Sequence, residues 1–316
     1  MNAYQNPDRK LTVLSFGGGQ DSSAILIRLL HDPEFYARHV GDDNLVVVMS
    51  DTGGEHPYTY DHVETCRKIC EARGLPFFLL RAKDGFHAPS WPDIYTPQLR
   101  DEGGDHVPTM VMRGTQTCTG NLKIGPIYKF IDEYINLIYG YGFKVAKERG
   151  CRKLPTKRYR SEFGRIRVLL GFAAGEESRR DRALRLEAKE QEAGNWQATI
   201  ARAFPLIDCG MDRAACREYL RSHGLDVMPS NCMICPYMAL PELLWLARNY
   251  PEIFEIWVLI EDRKRQRHGD KPRNQGVFAR KESLREKLAE AERKYGHLTD
   301  EELAEYKATH GCQTAF

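Results

Sequence analysis

Short apolar runs alternate along the first two thirds of the chain with segments of helical period. Residues 11–16 (LTVLSF) form one run, followed by GGGQDSS and then AILIRLL, which predicts a strand, a glycine turn and a helix. LVVVMS at 45–50 predicts a second buried strand, ending at Asp51-Thr52-Gly53-Gly54. Residues 58–73 have helical spacing and stop at Gly74, and PFFLLR at 76–81 predicts a third strand. A long polar loop is expected over about 82–117, a helix over about 125–139 and a strand over 166–172. A polar helix should follow, with a last short strand at 203–207; from 212 onward the pattern is mainly helical. Alternating strands and helices imply a doubly wound α/β fold, a parallel sheet covered on both faces. The organisation expected is an α/β domain over 1–210, carrying a basic insertion at about 141–165, and a mainly helical region over 211–316.

Composition narrows the class. The 316 residues carry 46 Lys+Arg against 44 Asp+Glu, so the chain as a whole is not a basic nucleic-acid binder. No apolar run reaches the length of about 18 residues that a membrane helix needs, so no membrane partner is expected. The opening MNAYQNPDRK lacks a signal peptide's apolar core, which points to a cytoplasmic protein whose nine Cys stay reduced. Spaced cysteines in that compartment suggest metal, cluster or redox chemistry.

The candidate chemistry starts at Gly17-Gly18-Gly19-Gln20-Asp21-Ser22-Ser23, after Ser15 at the end of the first strand. Glycines let backbone N–H groups close around an anion, and a helix N-terminus adds positive potential. No Lys-Ser/Thr follows the last glycine, so this is not the Walker pattern, and it is not G-x-G-x-x-G. Two further strand ends carry polar clusters: Asp51 to Pro57 (DTGGEHP), and Gly175-Glu176-Glu177-Ser178-Arg179-Arg180. An acid such as Asp51 beside the glycine loop can meet adenosine or Mg2+, and Arg179 at a helix start can meet a phosphate. Arg113 to Lys123 (RGTQTCTGNLK) adds two cations.

SFGGGQDSSA resembles the pyrophosphate loop of N-type ATP pyrophosphatases and PAPS reductase-like proteins. Gly17 stands where that family has its first Ser, and Gln20 where it has Lys, which removes a direct charge contact with phosphate. DTGGEHP, GEESRR and CTGNLKIGPI resemble further segments of the family. So does FPLIDCGMDRAACREYLRSHGLDVMPSNCMICPYM, with the DNA phosphorothioation sulfur-transfer and phage PAPS reductase-like proteins nearest. The matches run from about residue 12 to 260. The resemblance implies an adenine nucleotide alpha hydrolase-like fold. It implies that Ser15, Gly17, Gly18, Gly19, Gln20, Asp21, Ser22, Ser23, Asp51, Gly175 and Glu176 bind ATP or adenylyl sulfate. Asp21, Asp51, Arg113, Lys123 and Arg179 would be the catalytic contacts, with Mg2+ on the phosphates.

Cys232-Met-Ile-Cys235-Pro is a redox pair, a zinc half-site or an iron–sulfur half-site. Cys118 and Cys312 would complete four thiolates, suited to [4Fe–4S] or Zn2+; the resemblance to sulfur-transfer proteins favours the cluster. Cys66 and Cys70 share one helical face, which predicts core packing.

Residues 141–170 hold ten Lys/Arg against two Glu, with Tyr141, Phe143, Tyr159 and Phe163 interleaved. Such a run suggests a polyanion partner, DNA or tRNA held through 141–167, with the aromatics as base-stacking platforms. Residues 262–273 form a second basic run. The expected function is ATP-dependent adenylation of a substrate, nucleic acid above all, for sulfur transfer, with a cysteine desulfurase as sulfur donor. The alternatives are a sulfonucleotide reductase and a non-catalytic nucleic-acid-binding protein with a structural metal site.

Overall fold

The structure, a computed structural model, describes residues 4–100, 110–115, 117–143, 153–269, 271 and 274–310. Five strands form one sheet: β1 (Leu11–Ser15), β2 (Asn44–Ser50), β3 (Phe77–Leu80), β4 (Ile166–Leu170) and β5 (Ile200–Ala203). Their order is β3-β2-β1-β4-β5 and every pairing is parallel, with Val13 opposite Val46 on one side and Val168 on the other.

Around the sheet lie α1 (Gln20–His31), α2 (Pro33–His39), α3 (Pro57–Ala72), α4 (Thr96–Leu99), α5 (Gly125–Ile138), α6 (Leu154–Phe163), α7 (Glu177–Glu192), α8 (Pro205–Asp208) and α9 (Arg213–Ser222). The chain continues through α10 (Leu240–Asn249), α11 (Pro251–His268), α12 (Leu284–Tyr295) and α13 (Asp300–His310).

Strand alternation divides the core. Leu11, Val13, Val46, Val48, Ile166, Val168 and Ile200 face α5 and α6, where Ile131, Ile135 and Tyr159 cover them. Leu14, Leu45, Val47 and Met49 face the other way, against α1, Cys66 and Cys70 of α3, and Cys216 and Leu220 of α9. β2 is buried along its whole length, as expected of a β-branched strand inside a parallel sheet. Helices therefore cover both faces, the arrangement of a doubly wound fold. A further apolar nucleus joins Trp91, Ile94, Val111 and Leu122 to Leu243, Trp257, Phe278 and Leu284. α10 packs on α12 and α13.

The last strand lies earlier than the expected 203–207. Pro205 lacks an N–H and has a fixed φ, so it opens α8, and pairing with β4 ends at Ala203. Within the loop expected over about 82–117 the described residues form a short 3-10 turn (Ala82–Asp84) and α4, and just past it a π-helical turn over Thr119–Ile124 runs straight into α5.

Candidate nucleotide and thiol site

The strand order reverses between β1 and β4, and at the carboxyl ends of those strands lies a cavity of about 350 Å3. Such a crevice is where open parallel sheets take ligands. Ser15, Gly17, Gly19, Gln20, Asp21 and Ser22 line it. Gly18 has φ +72° and packs under α3; a Cβ there would stand 2.9 Å from the Thr59 and Val63 methyls. Gly19 packs on another segment, and its Cβ would come 2.6 Å from Ser230 Oγ and 2.8 Å from Ser230 N. Close approach thus requires both glycines, and backbone shape requires the first of them as well. No side chain caps α1 at Gly19, so first-turn N–H groups remain open to an anion. The Gly17 N–H donates to Ser22 Oγ (3.1 Å), and Ser23 sits behind the loop with its hydroxyl on His62 Nε2 (2.7 Å).

Charges of both signs stand at the loop. Arg213, at the start of α9, lies 3.9 Å from Asp21 and 3.0 Å from Glu176. Arg179 bonds Glu176 at 2.5 Å and stacks 4.2 Å over Phe172. Glu176 also accepts from the Ala173 N–H (3.1 Å), so it holds the two arginines from behind while they line the cavity. Gly175, with φ +94°, turns the chain into α7 but does not line the cavity. Burial pushes the Asp21 carboxyl up to about 6; Arg213 opposes this and Glu176 adds to it.

The cavity wall is also sulfur-rich. Cys118, Cys232 and Cys235 line it together with Lys123. Cys232 Sγ lies 3.2 Å from Thr52 Oγ1 and 3.5 Å from Glu55 Oε1, and Lys123 Nζ stands 3.6 Å from the same Glu55 oxygen. An antiparallel bridge between Glu55 and Cys232 and the Met233 N–H bond to Gly54 O (2.8 Å) join the two segments. Burial, then the Glu55 carboxylate, raises the Cys232 thiol well above its ordinary range. Burial and Cys235 raise Cys118, with Lys123 opposing. Burial works against the Lys123 charge, but Glu55 and the thiols of Cys232, Cys235 and Cys118 outweigh it and hold the ammonium.

Two expected contacts lie elsewhere. The Asp51 carboxylate accepts from the Gly53 N–H (2.8 Å) and Tyr60 hydroxyl (2.7 Å), with Arg81 at 3.9 Å, and does not line the cavity. Its place is taken by Thr52 and Glu55, a few residues along the same turn. Arg113 spends its guanidinium on the carbonyls of Pro236 (2.9 Å) and Met238 (3.3 Å), so it braces the Cys232–Cys235 loop rather than facing a phosphate. Sequence reasoning missed Arg213, Glu55, Ser230 and Asn231; Glu55 sat inside DTGGEHP, and Asn231 immediately precedes Cys232.

Cys312 and residues 144–152 of the basic stretch lie outside the described residues. Among the described residues no group of three or more His, Cys, Asp or Glu is arranged to hold a metal ion. No helix among them is long and apolar enough to cross a membrane.

The described part of the basic stretch is largely self-satisfied. Lys153 donates to Tyr128 O (2.7 Å), Arg158 pairs with Glu162 (2.8 Å), Arg165 with Glu187, and Arg167 donates to His39 O (2.7 Å). Tyr159 is fully buried with its hydroxyl on the Leu11 N–H (2.7 Å), and Phe163 stacks on it. The helical period of α6 turns Tyr159 inward, so it is core and not a base-stacking platform. In the second basic run Arg263, Lys264 and Arg265 likewise donate to backbone carbonyls.

Comparisons with protein-family models, curated proteins and solved structures gave no match.

Proposed function

We propose that this chain is an ATP-pyrophosphatase-type enzyme of the PAPS reductase-like kind. It adenylates a nucleic-acid substrate, DNA or tRNA, for sulfur transfer. The observation that carries the reading is the shared cavity: a glycine loop and helix N-terminus line it together with three thiols and a lysine. A phosphate-binding loop alone fits many enzymes. A phosphate-binding loop that opens onto thiols fits activation followed by sulfur delivery.

The loop amides and the first turn of α1 bind the phosphate tail, with the Gln20 amide where a lysine would give charge. Arg179 and Arg213 neutralise the phosphates as pyrophosphate leaves, and Glu176 keeps both guanidinium groups aimed. Asp21 is the carboxylate at the loop that would hold Mg2+, which neutralises phosphate charge when bound. Cys118, Cys232 and Cys235 line the same cavity but are not arranged to hold a metal ion as they stand; with Cys312 as the fourth they would be the thiolates for a [4Fe–4S] cluster or Zn2+ once drawn together. When bound, a cluster would supply a site for sulfur or electron relay. The cations of the 141–167 stretch would meet nucleic-acid phosphates, a cysteine desulfurase would supply the sulfur, and the protein would work in the cytoplasm.

The test is pyrophosphate release from ATP by the full-length protein, with and without DNA or tRNA. Nucleic-acid-dependent release is expected. Consumption of adenylyl sulfate with thioredoxin, without pyrophosphate, would replace this reading with a sulfonucleotide reductase. Nucleic-acid binding with neither activity would leave a non-catalytic binding protein. Brown colour and visible absorbance of anaerobically purified protein would mark a cluster rather than zinc.

A further inference from the structure

Three side chains on the cavity wall are buried yet have polar atoms with no hydrogen-bond partner among the described residues. They are Gln20 (Nε2), Glu55 (Oε2) and Asn231 (both Nδ2 and Oδ1), each no more than 3% exposed. Buried polar atoms are paired as a rule, because leaving one unmade costs stability. A group of them around one cavity marks where a ligand supplies the missing bonds.

Asn231 is the most informative of the three. Its neighbour Ser230 packs directly on Gly19 of the loop, and its other neighbour Cys232 touches Thr52 and Glu55. Asn231 therefore stands between the loop contact and a thiol. A group whose oxygen takes AMP from ATP, with release of pyrophosphate, and whose same centre then takes sulfur, with loss of AMP, must lie within reach of both, beside Asn231. A carboxamide presents a donor and an acceptor side by side, and both are free here. Its complement is an edge with an adjacent acceptor and donor, as every nucleobase has. A phosphodiester offers acceptors only; it would leave Asn231 Oδ1 unmatched and face the Glu55 carboxylate.

We infer that the acceptor is a single nucleobase, turned into the cavity and held edge-on by Asn231, rather than the sugar–phosphate backbone. This rests on the nucleic-acid reading above and names the part of the substrate that the site recognises. Gln20 Nε2 would then meet an acceptor on the phosphate side, and Glu55 Oε2 a donor on the thiol side. Taking a base out of its stack into a pocket lined by matched polar groups is how enzymes reach base atoms.

The experiment measures binding of the full-length protein to short single-stranded homopolymers of each base, in DNA and RNA, against an abasic strand of equal length. At least one base-bearing strand should bind about ten- to hundredfold tighter than the abasic strand, the range of a two-point amide–base pair. Asn231→Leu, close in shape and unable to hydrogen-bond, should bring that strand to within about threefold of the abasic one, and Asn231→Asp should do likewise by losing the donor. Because the Asn231 amide makes no bond within the described protein, Asn231→Leu should not lower the melting temperature. ATP affinity should be unchanged in both variants. The inference is overturned if no strand exceeds the abasic one, or if both variants keep the discrimination. Base discrimination without pyrophosphate release would sink adenylation and leave this inference standing; pyrophosphate release without base discrimination would do the reverse.

Discussion

The glycine loop and the basic stretch both stand out as local runs, yet the fold treats them in opposite ways. At the loop polar groups remain unpaired: the first turn of α1 has no side-chain cap, and the buried Gln20 Nε2 has no hydrogen-bond partner among the described residues. Among the described residues of the basic stretch four of the six cations are engaged within the protein, on Glu162, Glu187, the Tyr128 carbonyl and the His39 carbonyl. The aromatic Tyr159 belongs to the sheet core. A run of like charges becomes a binding patch only where tertiary partners do not consume it. A glycine loop at a strand end keeps its capacity, because backbone amides there have few competitors.

That contrast can be broken, and the largest effect is expected in the basic stretch. Tyr159→Ala should destabilise the fold by about 3–5 kcal/mol, as core aromatic truncations do, measured by urea denaturation. A base-stacking Tyr159 would instead weaken nucleic-acid binding and leave stability alone. Next comes the loop. Gly18→Ala forces a side chain into a left-handed backbone and against Thr59 and Val63, and should cost about 1–3 kcal/mol. Gly19→Ala should push the Ser230–Asn231 segment away and lower ATP affinity by at least about tenfold, since the loop and that segment touch. Calorimetry reads the affinity and thermal melting reads the stability; ATP affinity unaffected by both substitutions would remove the loop from the site.

A subtler test uses pH. The Asp21 carboxyl is held up at about 6 in the fold against an ordinary 3.8. The folded protein then keeps a proton that the unfolded chain releases. Stability from this group falls as pH rises from about 3.8 to about 6 and is level outside that window. Asp21→Asn should flatten the slope, seen in denaturation midpoints across that range. If it does not, the loop carboxylate is not perturbed by its setting. The smallest effect belongs to Lys157 and Arg160, which stay exposed on α6. Changing either to Ala should leave stability alone and lower the salt slope of nucleic-acid binding by about one for each phosphate that the side chain neutralises. An unchanged slope would remove α6 from the interface.

The first four strands, the loop's place and the helical tail were legible along the chain, because each is written in contiguous residues. The central strand LVVVMS and the Gly17–Ser23 turn are examples. Proline chemistry explains the misplaced last strand, since Pro205 ends pairing where apolar content alone suggested extension. The site was legible only in part. Asp51 and Arg113 had the right chemistry in the right segments, but Tyr60 and the carbonyls of Pro236 and Met238 claim them. No local pattern shows which acceptor a side chain will find a hundred residues away.

By itself the sequence determined a parallel α/β sheet with a glycine turn after its first strand, because period, apolar runs and backbone freedom are local properties. Only the tertiary structure decided that Ser230 packs on that turn and that Cys232 reaches Thr52 and Glu55. It also decided that Glu55 and Lys123 meet the thiols and that Tyr159 turns inward. Those outcomes depend on which distant segments share the same space, where burial and competing partners fix what each polar group is free to do.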